Sequence, residues 1–290
     1  MSNGYVILAN TNIEHREAAA CAYSIRIHNP DASISMIVPN VNDVAEQYEE
    51  PFENIVELPF DKNIQTRRAN DWQIYWASPY ENTIAIDCKT IVKEDHTSLW
   101  DYLIDHYDLC FPTNVRNYKT ERIVNDKRYK DIVEHYSMTM VYSDLFFFRK
   151  EKDVVLNYFK LLDPYAREWR TLLNKIFEPH HIPDYYDANI ITSIACNHLD
   201  IINDVTPAHD TILEYIDMST AQETIFNKDV KVYTDYINVW NSTNAKLKIQ
   251  NFAVNTCIAY KESQFLTEEI YNGQRDYFRL NNKQNLVGKV

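Results

Sequence analysis

The sequence predicts an α/β domain on a mostly parallel sheet, and two observations carry that expectation. Short apolar, strand-like runs alternate with longer segments whose apolar residues recur at helical spacing, the pattern that βαβ crossovers leave. The chain has 290 residues, 45% of them hydrophobic, 13% aromatic and 24% charged, so it is long enough for a sizeable core and lies within globular composition. No internal repeat or low-complexity segment interrupts it. We expect one domain, with a core over residues 1–203 and a C-terminal extension over 204–290 packing on it.

The elements follow in order. "YVILAN" (residues 5–10) reads as a buried strand. Residues 14–28 form a helix with a stripe of Ala18, Cys21, Ala22 and Ile25. "SISMIVPN" is the next strand, ended by Pro39, and "NIVELPF" a third. Residues 66–80 read as a helix closed before Pro79, and "NTIAIDCKTIV" as the fourth strand. The alternation continues through helix "TSLWDYLIDHY", strand-like "DLCFPTN", helix "DKRYKDIVEHY" and the run "MTMVYSDLFFFRK" with Phe146, Phe147 and Phe148. Helices are expected over 152–177 and 188–199, the second with Asp187 as N-cap. Beyond about residue 203 the pattern turns polar and irregular, with one more strand and a short helix in "NFAVNTCIAYKESQFLTEEI".

Composition excludes several classes. The N-terminus "MSNGYVILANTNIEHRE" lacks the basic and apolar regions of an export signal, and no apolar run approaches the roughly 18 residues of a membrane helix. Cys21, Cys88, Cys110, Cys196 and Cys257 are scattered, odd in number and free of CxxC spacing, which indicates neither a disulfide framework nor a zinc knuckle. A reducing cytoplasm and no membrane partner are expected. The three glycines, Gly4, Gly273 and Gly288, exclude a glycine-rich phosphate loop from the body of the fold. A phosphorylated ligand would have to be met by side chains or a metal. Net charge is −13, so any nucleic-acid contact must be local. The stretch "VRNYKTERIVNDKRYK" (residues 115–130) is the one basic, tyrosine-bearing segment, although such stretches are more often solvated surface.

Ligands of open α/β sheets sit at the carboxyl ends of the strands. That rim holds Asn10, Thr11 and Asp87, and the fourth strand ends in Asp87, Cys88, Lys89: one acid, then one ammonium.

The ordered landmarks "YVILAN", "WQIYWASPYENTIAIDCKTIVKED", "YDLCFPTNVRNY", "VYSDLFFFRK", "PDYYDAN" and "CIAYKESQFLTEEI" resemble those of phage-encoded nucleotide-sugar glycosyltransferases of the GT-A fold, akin to glycosyltransferase family 8. The resemblance spans residues 5–270. It implies a Rossmann-like, mostly parallel central sheet with helices on both faces, a nucleotide-sugar donor such as a UDP-sugar at the rim, and transfer to a hydroxyl with the anomeric configuration retained. It also exposes departures. The family's Asp-Ala-Asp, which chelates a divalent ion on the donor diphosphate, is here Asp87, Cys88, Lys89. Its Tyr-Ser-Gly is here Tyr142, Ser143, Asp144, and its His-Met-Lys corresponds loosely to Asp217, Met218, Ser219.

A cation in the first shell opposes metal binding, whereas an ammonium can itself neutralise a diphosphate. The expectation is therefore a donor site that requires no metal, with Lys89 in the cation's place and Asp87 orienting the ribose or the lysine; a manganese or magnesium ion remains compatible with the family pattern if Asp87 still binds one. The alternative is a decayed site with Lys89 in solvent. Other expected donor contacts are Asn10, Thr11, Arg16, Arg67, Arg68, Ser143, Asp144 and Asp217, the arginines because a planar guanidinium matches two phosphate oxygens. The resemblance places Asp184 and Asp187 beside the transferred sugar, although Asp187 has the alternative of being only a helix cap. Adjacent His180 and His181 lack the i, i+4 spacing of a metal site, and Trp72, Tyr75 and Trp76 read as core. For the acceptor, Arg116, Tyr118 and Lys119 point to a hydroxymethylated pyrimidine of phage DNA. The alternatives are a glycan or small molecule, or a degenerate relative that serves as a binding or scaffold protein.

Overall fold

The computed structural model describes residues 2–63, 66–117, 129–208, 213–218, 237–241, 246–249 and 252–287. Its centre is a six-stranded sheet. Strands β1 (Asn3–Leu8), β2 (Ile34–Val38), β3 (Asn54–Glu57) and β4 (Asn82–Asp87) run parallel, in the order β3-β2-β1-β4. Beyond β4 lie β8 (Leu145–Arg149), antiparallel to it, and then the two-residue β6 (Leu109–Cys110). Phe146, Phe147 and Phe148 are all buried in β8. That strand lies between two others and is covered on both faces, which is why its apolar run is continuous instead of alternating.

Helix α1 (Asn12–His28) follows β1 and starts with a capping box: the Thr11 side chain accepts from the Glu14 amide while Glu14 reaches back to the cap backbone. Ala18, Cys21, Ala22 and Ile25 pack into the main core, as the stripe predicts. Ala19, Ala20 and Tyr23 on its other side are also buried, in a second core with the C-terminal helix α9 (Glu268–Val287). Small side chains on two faces let α1 fill the space between the sheet and α9. The final helix is thus 20 residues long instead of short.

Residues 66–80 depart from the expected helix. They form a 3-10 turn, Arg67–Gln73, and one turn of α2 (Ile74–Ala77). Asn70 and Gln73 explain the tight winding, for both bond to the backbone of the preceding loop: Asn70 accepts from the Asn63 amide at 2.9 Å, and Gln73 donates to the Asp61 carbonyl at 2.8 Å.

The segment after residue 203 holds more regular structure than its polar pattern suggests. Strands β9 (Tyr215–Asp217) and β13 (Cys257–Ala259) join β5 (Thr90–Ile91) and β7 (Val115–Arg116) in a small sheet of order β5-β13-β9-β7. Strands β10 (Ile237–Asn241), β11 (Lys246–Ile249) and β12 (Phe252–Val254) form an antiparallel meander. Strands of two to five residues carry too few alternations for periodicity to register. Because the small sheet draws from both sides of residue 203, the C-terminal segment is built into the domain wall.

The remaining helices are α3 (Thr97–His106), α4 (Lys130–Tyr136), α5 (Asp153–Arg167), α6 (Trp169–Ile176), α7 (Ala188–His198) and α8 (Ile202–Val205). Asp187 caps α7, accepting from the amides of Asn189 and Ile190.

Candidate donor site

The parallel register sets Leu8 beside Asp87 at the carboxyl end of the sheet. The wall opposite is made by the start of α7, and the end of the small sheet at Asp217 and Ala259 closes the third side. Between them is a cleft of about 260 Å³ lined by Arg67, Arg68, Asp87, Lys89, Tyr129, Asp144, Tyr185, Tyr186, Asp187, Asn189, Asp217, Tyr260 and Lys261, among others. Four carboxylates and four cations share that lining.

The floor is an ion-pair network. Asp87 Oδ2 accepts from Arg67 at 2.6 Å and from Arg68 at 2.7 Å, and its Oδ1 accepts from the Lys89 amide at 2.8 Å. Arg68 also donates to Asp71 at 2.6 Å, to Asp144 at 2.6 Å, and to the carbonyl and hydroxyl of Ser143. Arg67 donates to Glu14 at 3.1 Å and to the Leu8 carbonyl at 3.3 Å. Every guanidinium nitrogen of both residues has an acceptor. Isolated charges this far withdrawn from water would be costly; alternating signs make the network tolerable.

The carboxyls respond to their surroundings. Burial opposes charge on Asp87, but Arg67 and Arg68, with the Lys89 amide, outweigh it and hold the carboxyl well below its usual range. For Asp71 burial wins over Arg68 and Arg67, and its pKa is pushed up to about 6. Burial also raises Asp144. Arg68 pulls against that, while Asp87 and Asp217 add to it. The Tyr215 hydroxyl donates to Asp144 at 3.0 Å.

These residues do not fit a hard divalent ion at Asp87. Such an ion needs several free oxygen ligands, whereas both oxygens of Asp87 already accept from cationic residues or a backbone amide, and Arg68 bridges Asp87 and Asp144. Two guanidinium groups stand where such an ion would meet Asp87, and one of them spans the gap to Asp144.

The sequence reading aims Arg67 and Arg68 at a diphosphate, but here both are committed to the floor. The side chains that face the cleft with less commitment are lysines. Lys89 Nζ donates to the Lys261 carbonyl at 2.9 Å, and Lys261 Nζ lies 5.5 Å from the centre of the Tyr185 ring, which is half exposed.

Several expected donor contacts lie elsewhere. Arg16 donates to the Leu266 carbonyl and to Glu268, and stacks on Tyr271 at 4.8 Å, tying α1 to the C-terminal helix. Thr11 is spent on the α1 cap, and the Asn10 amide side chain donates to the Asn63 carbonyl. Ser143 stands behind the floor, bonded to Arg68 and Asn189. Asp184 is exposed and outside the cleft lining, its carbonyl accepting from Arg170. Asp187 does line the cleft; besides capping α7 it accepts from the Tyr129 hydroxyl at 3.1 Å. Arg116 lies on β7 and donates to Glu214 at 2.7 Å. Tyr118 and Lys119 fall outside the described residues. Tyr185, Asn189 and Lys261 are cleft residues that the sequence reading does not single out, and Tyr129 enters it only as one of the tyrosines of the basic stretch over 115–130. Two signals were present, the paired tyrosines of "PDYYDAN" and the lysine of "CIAYKESQ".

With this geometry in view, solved structures supply the comparison. The galactosyltransferase LgtC, crystallised in complex with donor and acceptor sugar analogues, superposes over 97% of this chain and 95% of its own, with a TM-score of 0.53 at 12% identity. The fold is GT-A. A second match is the apo form of the glycosyltransferase GlyE of Streptococcus pneumoniae, with a TM-score of 0.50 at 10% identity, covering 100% of this chain and 64% of the GlyE chain. No protein-family model and no curated protein matches the sequence. Among the described residues, no helix is long and apolar enough to cross a membrane.

Proposed function

We propose that this chain transfers a sugar from a nucleoside diphosphate, UDP in the first instance, to a hydroxyl acceptor. The observation that carries the reading is the charged cleft at the carboxyl rim of a GT-A sheet, with Asp87 ending its central strand and Lys89 and Lys261 at its mouth. In this reading the two ammonium groups meet the diphosphate and stabilise the charge that develops on it as the bond to the anomeric carbon breaks. No divalent ion is required, because Arg67 and Arg68 already neutralise Asp87, the strand-end carboxylate that would otherwise have held one. Asp187, fixed by its cap bonds and by Tyr129, presents a carboxylate edge to sugar hydroxyls, and Asp217 lines the same cleft.

For the acceptor, one observation favours a carbohydrate. The half-exposed ring of Tyr185 beside Lys261 offers an apolar face on which a sugar ring can stack. The alternative of a hydroxymethylated pyrimidine in DNA rests on residues 115–130, of which Arg116 is neutralised by Glu214. The test is a donor panel of UDP- and other nucleotide-sugars, incubated with oligosaccharides, with hydroxymethylated duplex DNA and with no acceptor, read by mass spectrometry. A hexose or pentose increment on an oligosaccharide supports the reading. An increment on the duplex alone reassigns the acceptor, and the absence of both transfer and donor hydrolysis supports a non-catalytic binding protein.

A further inference from the structure

At the far end of the small sheet from the donor cleft, two side chains of one connection, Glu94 and His96, meet a third, Cys257, from a distant part of the sequence. Cys257 begins β13, His96 immediately precedes α3, and Glu94 lies in the connection between β5 and α3. Cys257 Sγ is 3.7 Å from Glu94 Oε1 and 3.7 Å from His96 Nε2, and the last two atoms are 3.9 Å apart. We propose that Glu94, His96 and Cys257 bind a zinc-type divalent ion.

The geometry is the first support. A near-equilateral triangle of these sides has its centre about 2.2 Å from each corner, within the range of zinc bonds to thiolate, imidazole and carboxylate. The second support is the donor set, a mixture of soft and borderline ligands that suits zinc better than calcium or magnesium. The third is the surroundings. His96 Nδ1 lies 3.0 Å from the Tyr5 hydroxyl, and Glu94 Oε1 accepts from Thr256 at 2.9 Å; such outer contacts orient ligands in metal sites. His96 and Cys257 are buried, but Glu94 is not, and a cleft of about 250 Å³ opens onto Glu94 and His96. That cleft gives the ion an entry path and leaves a fourth position for water. Glu214 on its wall is held by Asn114 and Arg116. A second group, Glu178, His180 and His181, has its ligand atoms within 4.8 Å of one another, but Glu178 and His180 are exposed and the group contains no thiol.

An ion here would fasten β13 to the start of α3, closing a loop of about 160 residues, without entering the donor cleft. The test uses the full chain, freed of metal by dialysis against chelator and titrated with cobalt(II) and, separately, with zinc(II). The expected result is one ion per chain at the site, a thiolate-to-cobalt charge-transfer band, and a rise in melting temperature with zinc. The band is lost in Cys257→Ser and in His96→Ala and kept in the double variant His180→Ala/His181→Ala. Circular dichroism of each variant separates loss of ligand from loss of fold, and a Glu94→Gln variant, altered at a half-buried position, is expected to bind at least tenfold more weakly while remaining folded. Absence of a band in the unmodified protein, or its survival in Cys257→Ser, overturns the proposal.

Discussion

Arg68 and Asp87 meet at 2.7 Å on the floor of the cleft, where the sheet's central strand ends. Arg68 is the hub of that floor, since the same guanidinium also holds Asp71 and Asp144. Replacing it by methionine keeps much of the volume but leaves one buried acid, Asp71, and two partly buried ones, Asp87 and Asp144, short of a partner. The expected loss is about 3–5 kcal/mol of folding stability, as for breaking a buried pair on one side, measured by urea denaturation. A loss within about 0.5 kcal/mol, ordinary for surface substitutions, would contradict a structural role.

The two floor acids have opposite linkage to pH. The folded-state pKa of Asp87 is depressed, so its contribution to stability is present above its unfolded value of about 4 and is lost as pH falls further. Asp71 is raised to about 6, so its contribution is full below about pH 4 and is lost as pH rises through 6. Denaturation midpoints against pH should therefore show Asp87→Asn removing part of the acid-side decline and Asp71→Asn flattening the slope between pH 4 and 6. Unchanged profiles in both variants would sink this assignment.

Asp187 has both a cap and a cleft position. Asp187→Ala removes two bonds to α7 amides and the Tyr129 contact, at an expected cost of about 1–2 kcal/mol. Asp187→Asn, which keeps an acceptor oxygen, should recover most of that stability. If sugar transfer nonetheless falls in the asparagine variant, the negative charge serves the substrate and not only the helix.

Tyr185 is half exposed and bears no part of the core. Tyr185→Ala is expected to raise KM for an oligosaccharide acceptor about threefold or more, the scale of one aromatic contact, with the melting temperature unchanged. Equal KM values would remove the stacking argument for a carbohydrate acceptor.

Much of the frame was legible because its elements are long or strongly patterned. The β1–α1–β2 unit, the end of β4 at Asp87, the β8 run and the Asp187 cap each leave a local signal in residue type or spacing. The network was not legible for a reason that holds generally. Arg67 and Arg68 find their partners at residues 14, 71, 87 and 144 only after the 3-10 turn aims them inward, and no one-dimensional pattern records that. Sequence order likewise suggested Arg16 near the rim, yet its place in α1 points it to the C-terminal helix. Lys261 arrives through β13, a strand of three residues. The same holds for Cys257, which looked solitary until β13 was set beside the start of α3.

The central claim is that lysine ammonium groups, and no divalent ion, receive the donor diphosphate. Its most direct test is calorimetric titration of UDP and UDP-sugars into the protein with and without EDTA, repeated on Lys89→Ala. The account expects equal affinity with and without chelator, and a loss of about tenfold or more in Lys89→Ala, the scale of one charge-assisted hydrogen bond, with folding stability retained. Binding that needs manganese or magnesium, or that is indifferent to Lys89, would contradict it.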